Sequence, residues 1–285
     1  YTTYVVGGSG TAAMESVISS TVHDNRKMLI ISNGAFGERW EEICNIYNIG
    51  LNVIKYPWGE KINLQDIENK LMRDASIETV CLVFMETSTG MVNPVKDVGT
   101  ICKNYGKIFV VDAVSGLCGD PLSVKESNID FCVSNTNKGL AGLPAISFVC
   151  AKNSAIEKIK NIPPRNYYLN LMKHIKYAKN AQTPTTPIIP MFYMLQTTLD
   201  EIFKEGVDKR IQRFKDNSSH LRAELLKLGF KFQLNESDMS NVMTNVLLPN
   251  NYEYEEIHTA LKNAGYIIYP GKGPLEDKVI HVANV

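Results

Sequence analysis

The stretch Ile108-Phe109-Val110-Val111-Asp112 is a short apolar run that ends in a carboxylate. Four consecutive apolar residues predict a strand that is buried on both faces, as in a parallel sheet covered by helices. Ligands of such sheets bind beyond the carboxyl ends of the strands, which is where Asp112 would lie. A polar loop, Ser134-Asn135-Thr136-Asn137-Lys138-Gly139, follows a later apolar run and offers an amine.

An acidic residue just past a strand and a lysine in a small polar loop are what a pyridoxal 5'-phosphate (PLP) site requires. The lysine, here Lys138, would form a Schiff base with the cofactor aldehyde. The carboxylate of Asp112 would pair with the protonated pyridine nitrogen and keep the ring an electron sink. A lysine in a polar loop is otherwise a solvated charge, so the assignment depends on the motifs around it.

The bulk composition narrows the class of protein. The 285 residues include 30 basic and 30 acidic side chains, so nothing favours nucleic acid or an anionic membrane as a partner. No apolar stretch is long enough to span a bilayer and no signal peptide opens the chain. The six cysteines form no CxxC or zinc-type pair, as is typical of free thiols in a reducing cytoplasm. We therefore expect a cytoplasmic protein with one large or two smaller domains.

The first half of the chain alternates apolar runs with amphipathic stretches. The predicted strands are Thr3 to Val6, Met28 to Ser32, Leu51 to Tyr56, Thr79 to Phe84, Ile108 to Asp112, Phe131 to Ser134 and Ile146 to Cys150. The predicted helices include Gly37 to Tyr47, Leu64 to Arg73 and Asp97 to Tyr105. This alternation predicts an α/β fold, with a mostly parallel central sheet covered by helices on both faces.

The pattern changes after Cys150. A segment rich in proline and threonine, Gln182–Pro190, is followed by one predicted helix over Ile202–Leu228. Further elements are predicted as strands at Phe230 to Gln233, Val242 to Leu248, Tyr266 to Tyr269 and Val279 to Val285, and a helix at Glu253 to Ala264. We predict a large cofactor-binding domain over residues 1–200 and a smaller C-terminal α+β domain over residues 201–285.

Two glycine-containing loops follow strands. Gly7-Gly8-Ser9-Gly10-Thr11 opens a helix whose free backbone amides can bind an anion, with hydroxyls from Ser9 and Thr11. An ordinary strand-to-helix turn is the alternative. In Asn33-Gly34-Ala35-Phe36-Gly37, two glycines bracket Phe36, whose ring could stack on a flat cofactor or could instead cap the core.

Two hydroxyl-rich segments complete the set of motifs. Glu86-Thr87-Ser88-Thr89-Gly90 follows a strand, and its carboxylate and hydroxyls could contact the phenolic oxygen of the cofactor and the substrate. A plain polar turn is the alternative. Gln182-Thr183-Pro184-Thr185-Thr186-Pro187 is too rich in proline for a helix or a central strand. Its hydroxyls suit phosphate oxygens, although a linker between domains would look similar.

In this order and spacing, the motifs resemble those of the class V aminotransferases, which are PLP enzymes of fold-type I. The resemblance covers nearly the whole chain. Within the family, the subfamily that transfers an amino group from 2-aminoethylphosphonate to pyruvate is most similar, followed by alanine–glyoxylate (serine–pyruvate) aminotransferases. The segments that carry it are Gly8 to Thr11, Asn33 to Arg39, Glu86 to Gly90, Val111 to Ala113, Asn137-Lys138 and Ile268 to Lys272.

The resemblance implies a role for each candidate residue. Lys138 and Asp112 would be catalytic. The cofactor would be held by Lys138 and Asp112 together with Ser9, Gly10, Thr11, Phe36, Thr89, Asn137, Gln182 and Thr185. Of these, Gln182 and Thr185 would reach the phosphate in the neighbouring subunit, which implies a homodimer with shared sites. Glu86 and His281 would face the substrate.

The chain departs from the family pattern in three places. The family's first segment, with a Gly-Pro turn, and its final helix are not found here, so we expect segments to be missing at both ends. The family also carries an arginine where this chain has His281. A guanidinium holds an oxyanion with a charged planar fork, whereas imidazole offers one or two donors and is largely neutral at pH 7. A structural histidine is the alternative interpretation.

The resemblance implies transamination in two stages, with pyruvate as the keto acid. Three alternatives stay open. One is a small amino donor, as in the alanine–glyoxylate type. Another is a cysteine desulfurase or a lyase on the same fold, for which Cys118 is the loop-like sulfur acceptor. The third is a PLP-fold binding protein with impaired catalysis.

Overall fold

The computed structural model describes residues 1–284, so Val285, the end of the last predicted strand, lies outside the described residues. The strands are β1 (Thr2–Gly7), β2 (Lys27–Ser32), β3 (Gly50–Lys55), β4 (Ile77–Val83), β5 (Met85–Glu86), β6 (Met91–Val92), β7 (Ile108–Asp112), β8 (Phe131–Asn135), β9 (Ile146–Ala151), β10 (Met243–Leu247), β11 (Tyr269–Pro270) and β12 (Val279–Ala283). The helices are α1 (Gly10–Ile18), α2 (Ala35–Ile46), α3 (Leu64–Arg73), α4 (Val95–Asn104), α5 (Asn153–Ile159), α6 (Leu171–Ala178), α7 (Ile189–Glu205), α8 (Val207–Lys227) and α9 (Tyr254–Asn263).

The central sheet has seven strands in the order β1-β9-β8-β7-β4-β2-β3. The strands from β8 to β3 pair in parallel, and β9 is antiparallel to both of its neighbours. Because β1 is reversed relative to β9, it runs in the same direction as the parallel strands. The carboxyl ends of six strands therefore lie at one edge of the sheet, and β7 is in the middle of the sheet.

Alternate residues of β7 face two separate hydrophobic cores. Ile108 and Val110 pack with α1, α2, α5 and α6 on one face, and Phe109 and Val111 pack with α3 and α4 on the other. All five residues of the strand are buried. This arrangement confirms the prediction of an α/β fold with a mostly parallel sheet covered on both faces.

The C-terminal part forms a three-stranded sheet in the order β10-β12-β11, with antiparallel pairing. Its small core contains Val246, Ile268 and Ile280, against which α9 packs through Ile257 and Leu261. The sheet is connected to the central one through α7 and α8. A large and a small unit were predicted, and the boundary between residues 200 and 201 stays a prediction.

The structure corrects three predictions in this region. The predicted helix Ile202–Leu228 is two helices, and α7 already begins at Ile189. The break is at Gly206, whose φ of 88° is a conformation that residues with a Cβ rarely adopt. The predicted strand at Phe230–Gln233 is only a bridge between Phe232 and Val246. Tyr266–Tyr269 contributes no more than the first residue of β11.

Among residues 1–284, no helix combines the length and the apolar character that a bilayer span requires. All six cysteines are free thiols, and none of them is exposed.

Candidate active site

Five of the polar segments singled out in the sequence meet at the carboxyl edge of the central sheet. Each follows a different strand of the group that runs in one direction. In chain order, these segments begin at or after the carboxyl ends of β1 (7–11), β2 (33–37), β4 (86–90), β7 (112–115) and β8 (135–139). The parallel arrangement thus places segments that are far apart in sequence next to each other.

Asp112 ends β7 and is 3% exposed. One carboxylate oxygen, Oδ1, accepts the backbone N–H of Val114 at 2.9 Å, and the other, Oδ2, accepts the indole N–H of Trp40 at 3.1 Å. Burial raises the pKa of Asp112, and the hydrogen bonds from Val114 and Trp40 and the charge of Arg39 act against this rise.

Lys138 and Asn137 lie in the loop after β8, and both are exposed. The strand itself pairs in parallel with β7, with Val133 opposite Asp112. The residue after the lysine, Gly139, packs on the loop that follows Asp112, because a Cβ on Gly139 would overlap the carbonyl oxygen of Leu117. The predicted lysine and its predicted carboxylate partner therefore lie on adjacent strand ends at one edge.

Ser9 is the N-cap of α1, and Gly10 and Thr11 form its first turn. The backbone N–H groups of a first turn have no acceptor within their own helix, and the helix dipole places positive character there. Gly10 packs closely on the neighbouring strand ends, since a Cβ on it would lie 2.8 Å from Val114 and 3.3 Å from the Asn135 amide nitrogen. The anion-binding helix end is thus next to the loop that follows Asp112.

The carboxylate of Glu86 is bound to the first turn of α2. It accepts the backbone N–H groups of Phe36 at 3.2 Å and Gly37 at 3.1 Å, and the hydroxyl of Ser88 at 2.6 Å. Gly34 permits this approach, because a Cβ there would overlap the Glu86 side chain. Burial raises the pKa of Glu86, against the effect of these hydrogen bonds. Glu86 thus fixes the helix that carries Phe36, and its predicted contact with substrate stays a prediction.

Phe36 is half-buried at the start of α2, and the Arg39 guanidinium lies 4.6 Å from its ring centroid. Thr89 is fully buried, and its hydroxyl donates to the Glu86 carbonyl at 3.3 Å within the turn between β5 and β6. The half-buried hydroxyl of Thr87 instead reaches Ser115, at 2.6 Å, in the loop after β7.

His281 lies in β12, where it is 5% exposed and opposite Asn245 of β10. Asn245 donates an N–H to the Ser88 carbonyl at 3.1 Å, so the small sheet contacts the segment that contains Glu86. Within residues 1–284, His281 Nε2 and Asn245 Oδ1 are buried without a hydrogen-bond partner. Burial lowers the pKa of His281 and the charge of Lys272 lowers it further, while the Ser88 carbonyl opposes both effects.

Gln182 and Thr185 belong to the loop between α6 and α7, where Gln182 is exposed and Thr185 is half-buried. Thr185 lines a small cavity together with Gly7 and Tyr168. The loop is therefore beside the end of β1.

Two residues at the site are not predicted by the sequence patterns. Trp40 is one, because a tryptophan inside a helix pattern is indistinguishable from a core residue. Asn135 ends β8, and its buried Oδ1 has no partner within residues 1–284. Its position directly before the Asn137-Lys138 loop was the only signal available. Residues 1–284 contain no cluster of His, Cys, Asp and Glu side chains that could hold a metal ion.

Cys118, the predicted sulfur acceptor of the desulfurase alternative, is half-buried, with a φ of 63°. Burial raises the pKa of its thiol, and the charge of Arg210 acts against this rise. A raised pKa disfavours the thiolate that nucleophilic attack requires. The described cysteines therefore offer no exposed, activated thiol.

Comparison with known proteins identifies the family of the chain. The sequence model of the aminotransferase class-V family matches residues 2–274. A 2-aminoethylphosphonate–pyruvate transaminase of Lysinibacillus sphaericus (strain C3-41) is 36% identical over 278 residues, which are 95% of this chain and 75% of that protein. A bifunctional phosphonoacetaldehyde hydrolase/aminoethylphosphonate transaminase of Clostridioides difficile (strain 630) is also 36% identical, over 95% of this chain and 43% of its own length.

Among solved structures, alanine–glyoxylate aminotransferase from Nostoc sp. superposes with a TM-score of 0.93 at 29% identity, over 99% of this chain and 75% of that one. The fold and the site thus define an α/β aminotransferase of fold-type I. The chain belongs to the class-V aminotransferase family. Membership of this family implies PLP as the cofactor.

The residues at the edge fit PLP. Asp112 is a buried carboxylate with one hydrogen bond on each oxygen and no ion pair within residues 1–284. Such a group is costly to bury unless a cation or a further donor completes it, and an ionised carboxylate has lone pairs free for one. A protonated ring nitrogen supplies that donor. The α1 terminus suits the phosphate, and Asn135 Oδ1 has no partner until a polar group is bound.

Glu86→Gln tests the connection between Glu86 and α2. We expect the free energy of unfolding to fall by about 1–3 kcal/mol, because the amide NH₂ faces backbone donors and leaves at least one buried group unpaired. Urea denaturation of the purified protein measures this loss. Glu38→Gln, at a position that is 34% exposed on the same helix, is the control and should cost under about 1 kcal/mol. Equal, small losses for both variants would contradict the structural role of Glu86.

His281→Gln tests the burial of the neutral imidazole. A histidine with a folded pKa below its unfolded value of about 6.5 contributes stability that is complete above that pH and is lost as the pH falls toward the folded pKa. Between pH 7 and pH 5.5, the free energy of unfolding should therefore fall less in the variant than in the wild type, by up to about 1 kcal/mol. His174, whose pKa burial also lowers, continues to contribute in both proteins. Thermal unfolding at both pH values is the measurement, and an unchanged pH dependence would contradict the burial argument.

Proposed function

We propose that this chain transfers the amino group of 2-aminoethylphosphonate to pyruvate, using PLP bound at the carboxyl edge of the central sheet through Lys138. The observation that carries the proposal is the placement of Lys138 and Asp112 on adjacent strand ends, beside the free end of α1. The donor and acceptor come from the names of relatives that are 33–36% identical over 95% of the chain.

In this proposal, PLP supplies an electron sink and carries the amino group between the two substrates. Lys138 would hold the cofactor and, once released, would move a proton between the donor carbon and the cofactor. The carboxylate of Asp112 would pair with the ring nitrogen, and Phe36 would stack on the ring. Ser9, Gly10, Thr11 and Asn137 would bind the phosphate and the ring, and Thr89 or its neighbour Thr87 would contact the phenolic oxygen.

The substrate anion is proposed to bind toward the small sheet. Lys272 is close enough to lower the pKa of His281, so an oxyanion there would meet a positive charge and an imidazole donor together. Imidazole replaces the arginine of the family, and it offers fewer donors and a charge that depends on pH. We therefore propose a phosphonate or carboxylate group near His281 and Lys272, with Glu86 holding the adjacent turn.

We also propose a homodimer in which Gln182 and Thr185 reach the cofactor phosphate of the partner. The support is an exposed apolar surface around their loop. Its members are Tyr167, Tyr168, Ile188, Ile189, Tyr193 and Met194, each at least 43% exposed. Helix α7 fully buries only Ile202 among its 17 residues, so most of its apolar side chains are at least partly exposed within residues 1–284. A patch of this kind is typical of a protein–protein interface.

Two further parts of this proposal are the location of the protein and the division of the chain into domains. The free, unexposed cysteines fit a reducing cytoplasm as the location. The division into a cofactor domain over residues 1–200 and a small domain over residues 201–285 fits the two sheets, although α7 crosses that boundary.

Incubation with PLP, 2-aminoethylphosphonate and pyruvate tests the reaction. We expect alanine and phosphonoacetaldehyde to form in equal amounts, since the amino group leaves one carbon and arrives at the other. A second incubation replaces 2-aminoethylphosphonate with serine. A third replaces 2-aminoethylphosphonate with alanine and pyruvate with glyoxylate. Faster turnover in either of these would favour the alanine–glyoxylate or serine–pyruvate alternative. Sulfide from cysteine would favour a desulfurase.

Lys138→Ala tests the assignment of the lysine. The variant should lose the visible absorbance of lysine-bound cofactor and at least about 10³-fold in kcat, because general acid–base catalysis alone contributes up to about 10⁴-fold. Absorbance spectra and alanine formation provide the measurements. Lys103→Ala removes an exposed lysine at the end of α4 and should behave like the wild type. Turnover of Lys138→Ala at the wild-type rate would refute the assignment.

The dimer is tested by the double substitution Ile189→Asp and Tyr193→Asp. Two carboxylates in a buried apolar interface are strongly unfavourable, so the variant should sediment as a monomer where the wild type sediments as a dimer. It should also bind PLP more weakly, because Gln182 and Thr185 of the partner are lost. Ile46→Asp, at a residue that is 76% exposed on α2, is the control and should stay dimeric. A monomeric wild type would overturn this part of the proposal.

A further inference from the structure

Trp40 lies on α2 with no exposed surface, and its indole nitrogen donates to Asp112 Oδ2 at 3.1 Å. A buried indole N–H needs an acceptor, and most tryptophans in a core find a backbone carbonyl or water. Here the acceptor is the carboxylate at the end of the central strand. The other oxygen of Asp112 accepts the backbone N–H of Val114, so two donors on different elements hold the two oxygens.

This pair of donors fixes the plane of the carboxylate. A single hydrogen bond would let the Asp112 side chain rotate about its terminal bond, whereas a bond on each oxygen, from donors on two different elements, restricts that rotation. An ionised carboxylate has further lone pairs, and one of them could accept a hydrogen bond from a ring nitrogen.

Helix α2 gives Trp40 a rigid support. The Glu86 carboxylate binds the backbone N–H groups of Phe36 and Gly37 at the start of the helix. Phe36 and Trp40 are four residues apart, so they lie on the same face of the helix, one turn from each other. The helix therefore connects the position proposed to stack on the cofactor ring with the group that holds the ring's carboxylate partner.

We propose that Trp40 is a positioning residue that orients the Asp112 carboxylate toward the pyridine nitrogen and favours its ionised form. The inference rests on the proposed function, because it assumes that PLP is the ligand of Asp112. Trp40 acts through Asp112 and does not itself touch the reacting atoms. The charged and titratable groups around Asp112 are Arg39 of α2, Cys81 of β4 and Cys132 of β8. None of them replaces the indole donor, since the thiols are neutral and Arg39 forms no ion pair with Asp112 within residues 1–284.

The test is a double-substitution cycle on the affinity of the apoprotein for PLP. Trp40→Phe keeps an aromatic ring and removes the N–H donor, and we expect the affinity to fall about tenfold or more, as for the loss of a hydrogen bond to a charged group. In the Asp112→Asn background the same substitution should cost less than about threefold, because the charged acceptor is already absent. Trp58→Phe removes the other tryptophan, which donates to Glu38 at 3.2 Å near the surface, and should leave the affinity unchanged.

Two outcomes of the cycle would overturn the inference, and a third would refute the proposed function instead. An affinity of Trp40→Phe within twofold of the wild type would overturn the inference. Equal losses in both backgrounds would also overturn it, because they would show a packing role that is independent of the carboxylate. If the wild-type apoprotein does not bind PLP at all, the proposed function fails first, and this result is distinct from either of the others.

A second measurement leaves Trp40 unchanged. It therefore tests the inference even if the Trp40→Phe variant does not fold. The chain contains two tryptophans, so a ¹⁵N-labelled sample gives two indole N–H resonances, and Trp58→Phe assigns them. Addition of PLP should shift the Trp40 resonance and leave that of Trp58 in place. Asp112→Asn should move the Trp40 resonance in the apoprotein and reduce its response to PLP. A Trp40 resonance that is insensitive to both changes would contradict the inference.

Discussion

The buried carboxylate of Asp112 is the constraint on which the rest of the site depends. It ends the middle strand of a sheet that is covered on both faces, so it cannot be hydrated as a surface aspartate is. Burial raises the pKa of Asp112, and two hydrogen bonds, from Val114 and Trp40, and the positive charge of Arg39 act against this rise. A carboxylate held in this way has a strong tendency to pair with a cation. The protonated nitrogen of a pyridine ring meets that requirement.

The parallel sheet explains how one carboxylate can organise so many segments. Six strands end at one edge, and five of them, all except β3, contribute the segment that follows to the site. Direct contacts connect these loops, including Glu86 with the start of α2 and Thr87 with Ser115. The helix ends are oriented by the same geometry, so the free amides of α1 lie beside the loop that follows Asp112. The α1 terminus, α2 and the end of β7 are thus adjacent at this edge.

The small sheet is joined to the segment that follows β4 through polar contacts. Asn245 bonds to the Ser88 carbonyl, and the backbone N–H of Ser240 bonds to the Gly90 carbonyl at 2.8 Å. His281 is buried at the same junction with Nε2 free of any partner within residues 1–284. Its pKa is lowered, so it contributes little positive charge at pH 7, unlike an arginine at that place.

Sequence alone determined the class of fold and the bounds of the strand β7 and the helix α3 to the residue, and it predicted Lys138 and Asp112 as the lysine and carboxylate of the site. It could do so because buried parallel strands have a distinct composition and because polar residues after such strands lie at one edge. The tertiary structure alone decided the rest. It separated α7 from α8 at Gly206, since a positive φ is not visible in the surrounding helical pattern. It also assigned Glu86 to the α2 terminus and Trp40 to Asp112, because a hydrogen bond between residues 50 or 72 positions apart depends on how the elements pack.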